Sequence, residues 1–394
     1  MFLYVLSALF LFSILARGNL YVQSTKARLL SQPKLSVDGA NLQLGEVLSP
    51  ITEQGLFVQV RYGEQTGWVS KLFVSPLPPG NQIQLGVTSK STEAVLARQR
   101  ASEFTKTAAA RGLSESQKMR IRGEGEIYDF DSLRWLESIP YRRDKVQNKI
   151  PAKEITYPLE VLPETKAEVK LGRALAARIL KKYVLIKDDE LTKYLNEVTS
   201  RIVLVSSRPD LDFKVGVLDS DEINAFACPG GFIFITKGAL QKVHSESELA
   251  GVISHEVGHI VLFHNGEFKE NNIYIDVVAN LLNPSGGEVI NSATSALLSE
   301  FEKQLFETGR DSEKELQADE AAVGLATAAG YSPNGLGNYL NSISKISKTD
   351  GLKRTHPETT IRIAKLVYIE AQTNVEASSS FTDRWHVFKT RIAE

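Results

Sequence analysis

The string His255-Glu256-Val257-Gly258-His259 sits inside a run patterned as a helix, and no other feature constrains the chain so tightly. Residues four apart share one face of an α-helix, so both imidazoles can converge on one zinc ion. The glutamate beside the first His then stands where it can take a proton from a water held at the metal. Ser245 and Glu248, three apart just ahead of the apolar run, read as a capping box. Leu249, Val252, Ile253, Val257, Ile260 and Val261 recur at helical spacing. This predicts a buried helix whose polar groups stand only where a site requires them. The alternative is a core helix whose two His are satisfied by nearby carbonyls, which leaves Glu256 buried without a purpose.

A catalytic zinc needs a third protein ligand and one open position. The metzincin arrangement requires glycine at position 262 and histidine at position 265, and this chain has Leu262 and Asn265, which excludes it. His264 follows His259 by five residues and points to another side of the helix. A carboxylate from a second helix is the remaining route. Glu313 to Asp319 opens an alanine-rich helix that ends at Gly330 and Pro333. Glu315 and Asp319 are four apart on one face, so one could ligate while the other bonds the free nitrogen of a ligating His. Spacing alone leaves open whether this pair ligates or faces solvent.

Phe213, Val215 and Val217 alternate with Lys214, Gly216 and Leu218 and read as a strand, as does Phe232 to Thr236. Pro229-Gly230-Gly231 marks a turn between them. An exposed edge strand over Asn224, Ala225, Phe226 and Ala227 could take an extended peptide by backbone hydrogen bonds; the alternative is an ordinary core hairpin. Cys228 is the single cysteine, lies in no nucleophile motif, and reads as a small buried residue.

In order, Asn224-Ala225-Phe226-Ala227-Cys228-Pro229-Gly230-Gly231, HEVGH, ELQAD and Thr355-His356-Pro357 with Arg362 resemble the HtpX- and BepA-like zinc metallopeptidases. The CAAX prenyl proteases and the mitochondrial Oma-type enzymes belong to the same family. The resemblance covers roughly residues 164–372. It implies one zinc ion per chain, with His255, His259 and Glu315 as ligands and Glu256 as general base. It further implies that Asp319 partners a ligand His. His356 would approach the metal as an oxyanion stabiliser or a reversible ligand, with Arg362 nearby. Ser312 stands where such proteins often carry arginine, and the nearest arginine is Arg310.

At 394 residues and a formal net charge of −1, the chain has room for two or three domains and no basic run that would favour nucleic acid. Residues 2–16 are almost wholly apolar, suited to a signal-peptide core rather than a membrane span, with a small-x-small cleavage site after Gly18. No Lys or Arg precedes that core, so an uncleaved anchor is the alternative. No cysteine near it offers lipid attachment. No other stretch reaches a spanning length, so the chain is expected to be exported and membrane-peripheral at most. Residues 20–76 alternate short apolar runs with turns, and Phe57 to Tyr62 with Thr66 to Ser70 resembles a bacterial SH3-like barrel. That resemblance implies binding of cell wall or peptide, or simple packing against the rest.

The organisation expected is a signal peptide (1–18), an SH3-like domain (19–77), a linker and helical region of unassigned role (78–160), a zinc metallopeptidase domain (161–372) and a tail (373–394). Leu171, Leu175 and Ile179, then Leu191, Leu195, Val198 and Ile202, read as packing helices at the start of that domain. Phe104, Ile127, Tyr128, Phe130 and Trp135 are candidate core, and residues 265–311 could form a lid over the site. The fold class is α+β: a mainly helical zincin-like domain with a small antiparallel sheet, preceded by a small all-β barrel. Three functions stay open at this level. They are a zinc endopeptidase acting on envelope proteins, an assembly factor with a gated zinc site, and a hydrolase of cell wall.

Overall fold

A computed structural model describes residues 18–35, 38–80, 128–141, 163–263, 298–299, 301–302, 312–345, 359–371, 373 and 382–393. The apolar segment 2–16, Phe104, Ile127, His264, Arg310, His356 and most of 265–311 lie outside these residues.

The N-terminal part is built from β1 (Leu20–Val22), β2 (Arg28–Leu29), β3 (Ala40–Asn41), β4 (Val47–Gln54), β5 (Phe57–Tyr62), β6 (Gln65–Ser70) and β7 (Val74–Ser75). Five of them form an antiparallel sheet in the order β6-β5-β4-β1-β7, while β2 and β3 pair separately. The β5–β6 hairpin closes tightly from Tyr62 to Gln65, with Gly63 at φ 60 taking the left-handed position the turn requires. Val22, Leu48, Val58, Val60 and Val69 fill the inner face. Leu30, Leu56, Phe57 and Leu72 instead join the core of the helical part, so the sheet and the helices share apolar packing.

The helical part contains α1 (Phe130–Ser138), α2 (Pro163–Lys182), β8 (Leu185–Ile186), α3 (Asp189–Leu204), β9 (Lys214–Leu218), β10 (Ala225–Cys228), β11 (Phe232–Thr236), α4 (Lys237–Gln241), α5 (Glu246–Phe263), α6 (Ser312–Ala328), α7 (Gly335–Ser344), α8 (Thr359–Glu370) and α9 (Thr382–Ala393). The α+β class holds. The small sheet is mixed, however, with order β10-β11-β9-β8 and β11 parallel to β9. The cause is Ala225–Cys228, which forms a strand of its own and pairs antiparallel with β11, so the two flanking strands cannot form a hairpin. The tail stretch carries a helix, α9, whose Trp385 and Ile392 are buried because the apolar positions recur on one face. Among the described residues no helix is long and apolar enough to cross a membrane.

α5 packs against α6 and α7 and is buried along its length from Leu249 to Val261. Ser245 Oγ accepts from the Glu248 N–H, and Glu248 accepts from the His244 N–H, so the cap reaches one residue further back than the usual box. Close approach of α5 to α6 depends on small residues, since a Cβ on Gly258 would lie 3.0 Å from the Ala321 Cβ. Elsewhere in the domain, α2 runs against the turn before β11. There a Cβ on Gly172 would meet the Pro229 carbonyl oxygen at 1.8 Å.

Gly172→Ala is therefore expected to force α2 off that turn and to cost about 1–3 kcal/mol, typical of overpacking. Urea unfolding checks this; an unchanged midpoint would show that the helix slides freely.

Candidate metal centre

The turn-and-a-bit spacing of His255 and His259 places their Nε2 atoms 3.1 Å apart, on the face of α5 that meets the first turns of α6. Glu315 enters from α6, with Oε2 3.4 Å from His255 Nε2 and Oε1 3.2 Å from His259 Nε2. All three side chains are buried. Donor atoms bonded to one zinc at 2.0–2.2 Å in a tetrahedron stand about 3.3–3.5 Å from each other. The two His–Glu separations and the His–His separation lie close to that edge length, and the three residues could hold a metal together. Two imidazoles and a carboxylate form a donor set suited to zinc. The residues present fit the ion.

The surroundings are tuned for positive charge. Asp319 Oδ1 lies 2.9 Å from His255 Nδ1, which leaves Nε2 to face the other ligands. Burial alone lowers the His255 imidazole, but hydrogen bonds to Asp319 and Glu315 outweigh it and raise the ring to about 9. Burial likewise raises Asp319, yet Arg362 and His255 prevail and hold its carboxyl well below the usual carboxylate range. Arg362, from α8, grips Asp319 through two bonds, Nε to Oδ2 at 2.8 Å and Nη2 to Oδ1 at 2.7 Å. Its Nη1 reaches Glu315 Oε2 at 3.5 Å. The cationic partner of the Glu315–Asp319 face thus comes from α8 rather than from the start of α6, where Ser312 stands.

Glu256 is 1% exposed, and its Oε2 has no hydrogen-bond partner among the described residues. A buried carboxylate oxygen in that condition is costly unless another group uses it. Asn224 to Ala227 lie in and just before β10, which among the described residues ends the sheet and packs beside α5. The strand is buried rather than exposed, because helices pack against it: Ala225, Phe226, Ala227 and Cys228 are at most 7% exposed. Asn224 has a turn-building part, its Oδ1 accepting from the Ala225 N–H and its N–H donating to Thr236 Oγ1.

Arg362, expected near the metal, joins both acids. Two features were not anticipated from residue patterns: Gly258 permits the close helix approach, and Glu246, at the far start of α5, is fully buried. Glycine inside a strongly apolar helix was a usable signal for the first.

Residues 189–370 match the model of Peptidase family M48. The chain is 24% identical over 204 residues to the beta-barrel assembly-enhancing protease of Yersinia pestis, an alignment covering 48% of this chain and 41% of that protein. It is 27% identical over 209 residues to the mitochondrial metalloendopeptidase OMA1 of Schizosaccharomyces pombe, covering 50% of this chain and 59% of the relative. With metalloprotease LoiP of Escherichia coli the identity is 24% over 161 residues, covering 41% and 62%. The chain thus spans about half the length of the curated relatives it matches.

Purified protein is expected to carry about one zinc per chain, the stoichiometry of a single His2Glu site. Asp319→Asn should keep the fold and weaken zinc binding about 10–100-fold by releasing the His255 ring. Competition with a chromogenic chelator measures this, and wild-type affinity in the variant would show that Asp319 does not orient the ligand.

Proposed function

We propose, from the match of residues 189–370 to the model of Peptidase family M48, that the chain is a zinc metalloendopeptidase cleaving peptide bonds of exported or envelope proteins. The observation that carries the reading is the convergence of His255, His259 and Glu315 within ligand spacing, with Glu256 buried next to them. The apolar segment 2–16 supports export, and one relative is named for β-barrel assembly. Protein or peptide chains are the substrate class that this family match supports.

In this mechanism His255, His259 and Glu315 hold the ion. Zinc supplies Lewis acidity that polarises a scissile carbonyl and acidifies water. Glu256, buried beside His255, accepts the proton of the attacking water on its Oε2 and later returns it to the leaving amine. Asp319 holds the His255 ring by Nδ1, and Arg362 keeps Asp319 ionised while drawing Glu315 into place. Asn224 to Ala227 are assigned to aligning the peptide, on the strength of the Asn224-to-Gly231 motif and of β10 packing beside α5. His356 lies outside the described residues; its role at the developing oxyanion rests on the Thr355-His356-Pro357 motif.

Glu256→Gln should retain zinc and lose about 10²–10⁴-fold in casein cleavage, the range for a general base. Full activity in that variant would remove Glu256 from the reaction. His356→Ala is expected to lower the rate about 100-fold, as for loss of one oxyanion donor. A rise in rate would instead assign His356 to blocking the open position.

A further inference from the structure

Beyond the family match, α9 returns to the metal helix at one buried carboxylate. Glu246 is the first residue of α5 and is 0% exposed. Tyr194 of α3 donates to its Oε2 at 2.8 Å, and Tyr331, in the turn after α6, donates to its Oε1 at 3.1 Å. Arg384 of α9 donates from Nη2 to the same Oε1 at 2.6 Å. Two side chains of α9 stack on Tyr194: Phe388 at 4.0 Å between ring centroids and Trp385 at 6.2 Å. Trp385 is fully buried and donates to the Val243 carbonyl, as does Lys389, two residues before the α5 cap begins. The same corner is pressed tight elsewhere. The Ser332 N–H donates to Ser247 Oγ, and a Cβ on Gly335 would lie 2.0 Å from the Ser247 carbonyl oxygen.

The place of this knot matters. Glu246 precedes His255 by nine residues, about 13 Å along the helix. Tyr331 follows the α6 helix that carries Glu315 and Asp319. The start of α5 is therefore joined to the end of α6, while the zinc donors meet at the other end of the same antiparallel pair. A tilt of either helix about the knot moves the donors apart, and donor spacing tolerates only tenths of an ångström.

We propose that α9 is a latch on the metal centre, with Arg384 as a positioning residue. By neutralising and gripping Glu246 it fixes α5 and α6 in the register that zinc binding requires. A buried carboxylate with weakened compensation draws water or swings outward, and either movement loosens both tyrosine contacts. Arg384 is 43% exposed and Arg201 lies near Tyr331 as a second positive charge, so the effect is graded rather than absolute.

This inference rests on the metal-centre reading, and the test uses zinc itself. The zinc dissociation constant of the full chain is measured by chelator competition for wild type, Arg384→Met, Arg384→Lys and the double variant Glu246→Gln/Arg384→Met. Each is held well below its own melting temperature. Arg384→Met should weaken zinc about tenfold, the lower end of what outlying metal-site partners contribute. It should also change the visible absorption of the cobalt-substituted site. Arg384→Lys should recover part of the loss, and the double variant should recover more than half of it, because no buried charge is left to compensate. Wild-type affinity in Arg384→Met, even with a lowered melting temperature, would reduce α9 to ordinary packing. Should Arg384→Met fail to fold, Arg384→Lys decides, with an unchanged constant overturning the latch. Absence of zinc binding in the wild type would sink the metal-centre reading itself.

Discussion

Four ionisable side chains packed out of water impose the main constraint on this molecule. His255, Glu315, Asp319 and Arg362 are each at most 3% exposed, within bonding distance of one another. Separately, any of them would be expelled from a protein interior. With the imidazole neutral, as a metal ligand requires, the two acids outnumber the arginine, which leaves a deficit of positive charge at the imidazoles. A divalent cation meets that deficit. The helices around the cluster are correspondingly apolar and small-residued, since only close packing keeps water from screening the arrangement.

The same logic recurs away from the centre. Arg173 with Glu137 joins α1 to α2, and Arg208 joins Glu168, whose other oxygen accepts from the Gly230 N–H beside the β10–β11 turn. These buried pairs add little net stability over apolar replacements, but each fixes an orientation that apolar packing leaves loose. In a domain whose sheet contributes few residues, such directional contacts set where strands and helices stand relative to α5.

Much of this was legible in the chain itself. The HEVGH helix, its cap and the end of α6 near Gly330 followed from spacing and from known helix signals, because those patterns report local chemistry. The mixed sheet did not. Lys214–Leu218 and Phe232–Thr236 read correctly as strands, but both are buried on both faces, so nothing in their pattern distinguishes a parallel neighbour from an antiparallel one. The helix at 382–393 was hidden for a related reason: Trp385, Phe388 and Ile392 make a short apolar stripe amid charges, which reads as solvated until a partner surface is known. Glu246 was equally opaque. An acid in a first helical turn ordinarily faces water and serves the helix dipole, and only tertiary structure reveals the two phenols and the guanidinium that enclose it.

The imidazoles and the carboxylate belong to separate helices, positions 259 and 315 being 56 residues apart. Closing so long a loop precedes any joint contact among them, so the donors gather only once most of the tertiary structure is in place. A chain still emerging or half folded holds its two imidazoles without their carboxylate, and so lacks the complete trio that could grip a cation.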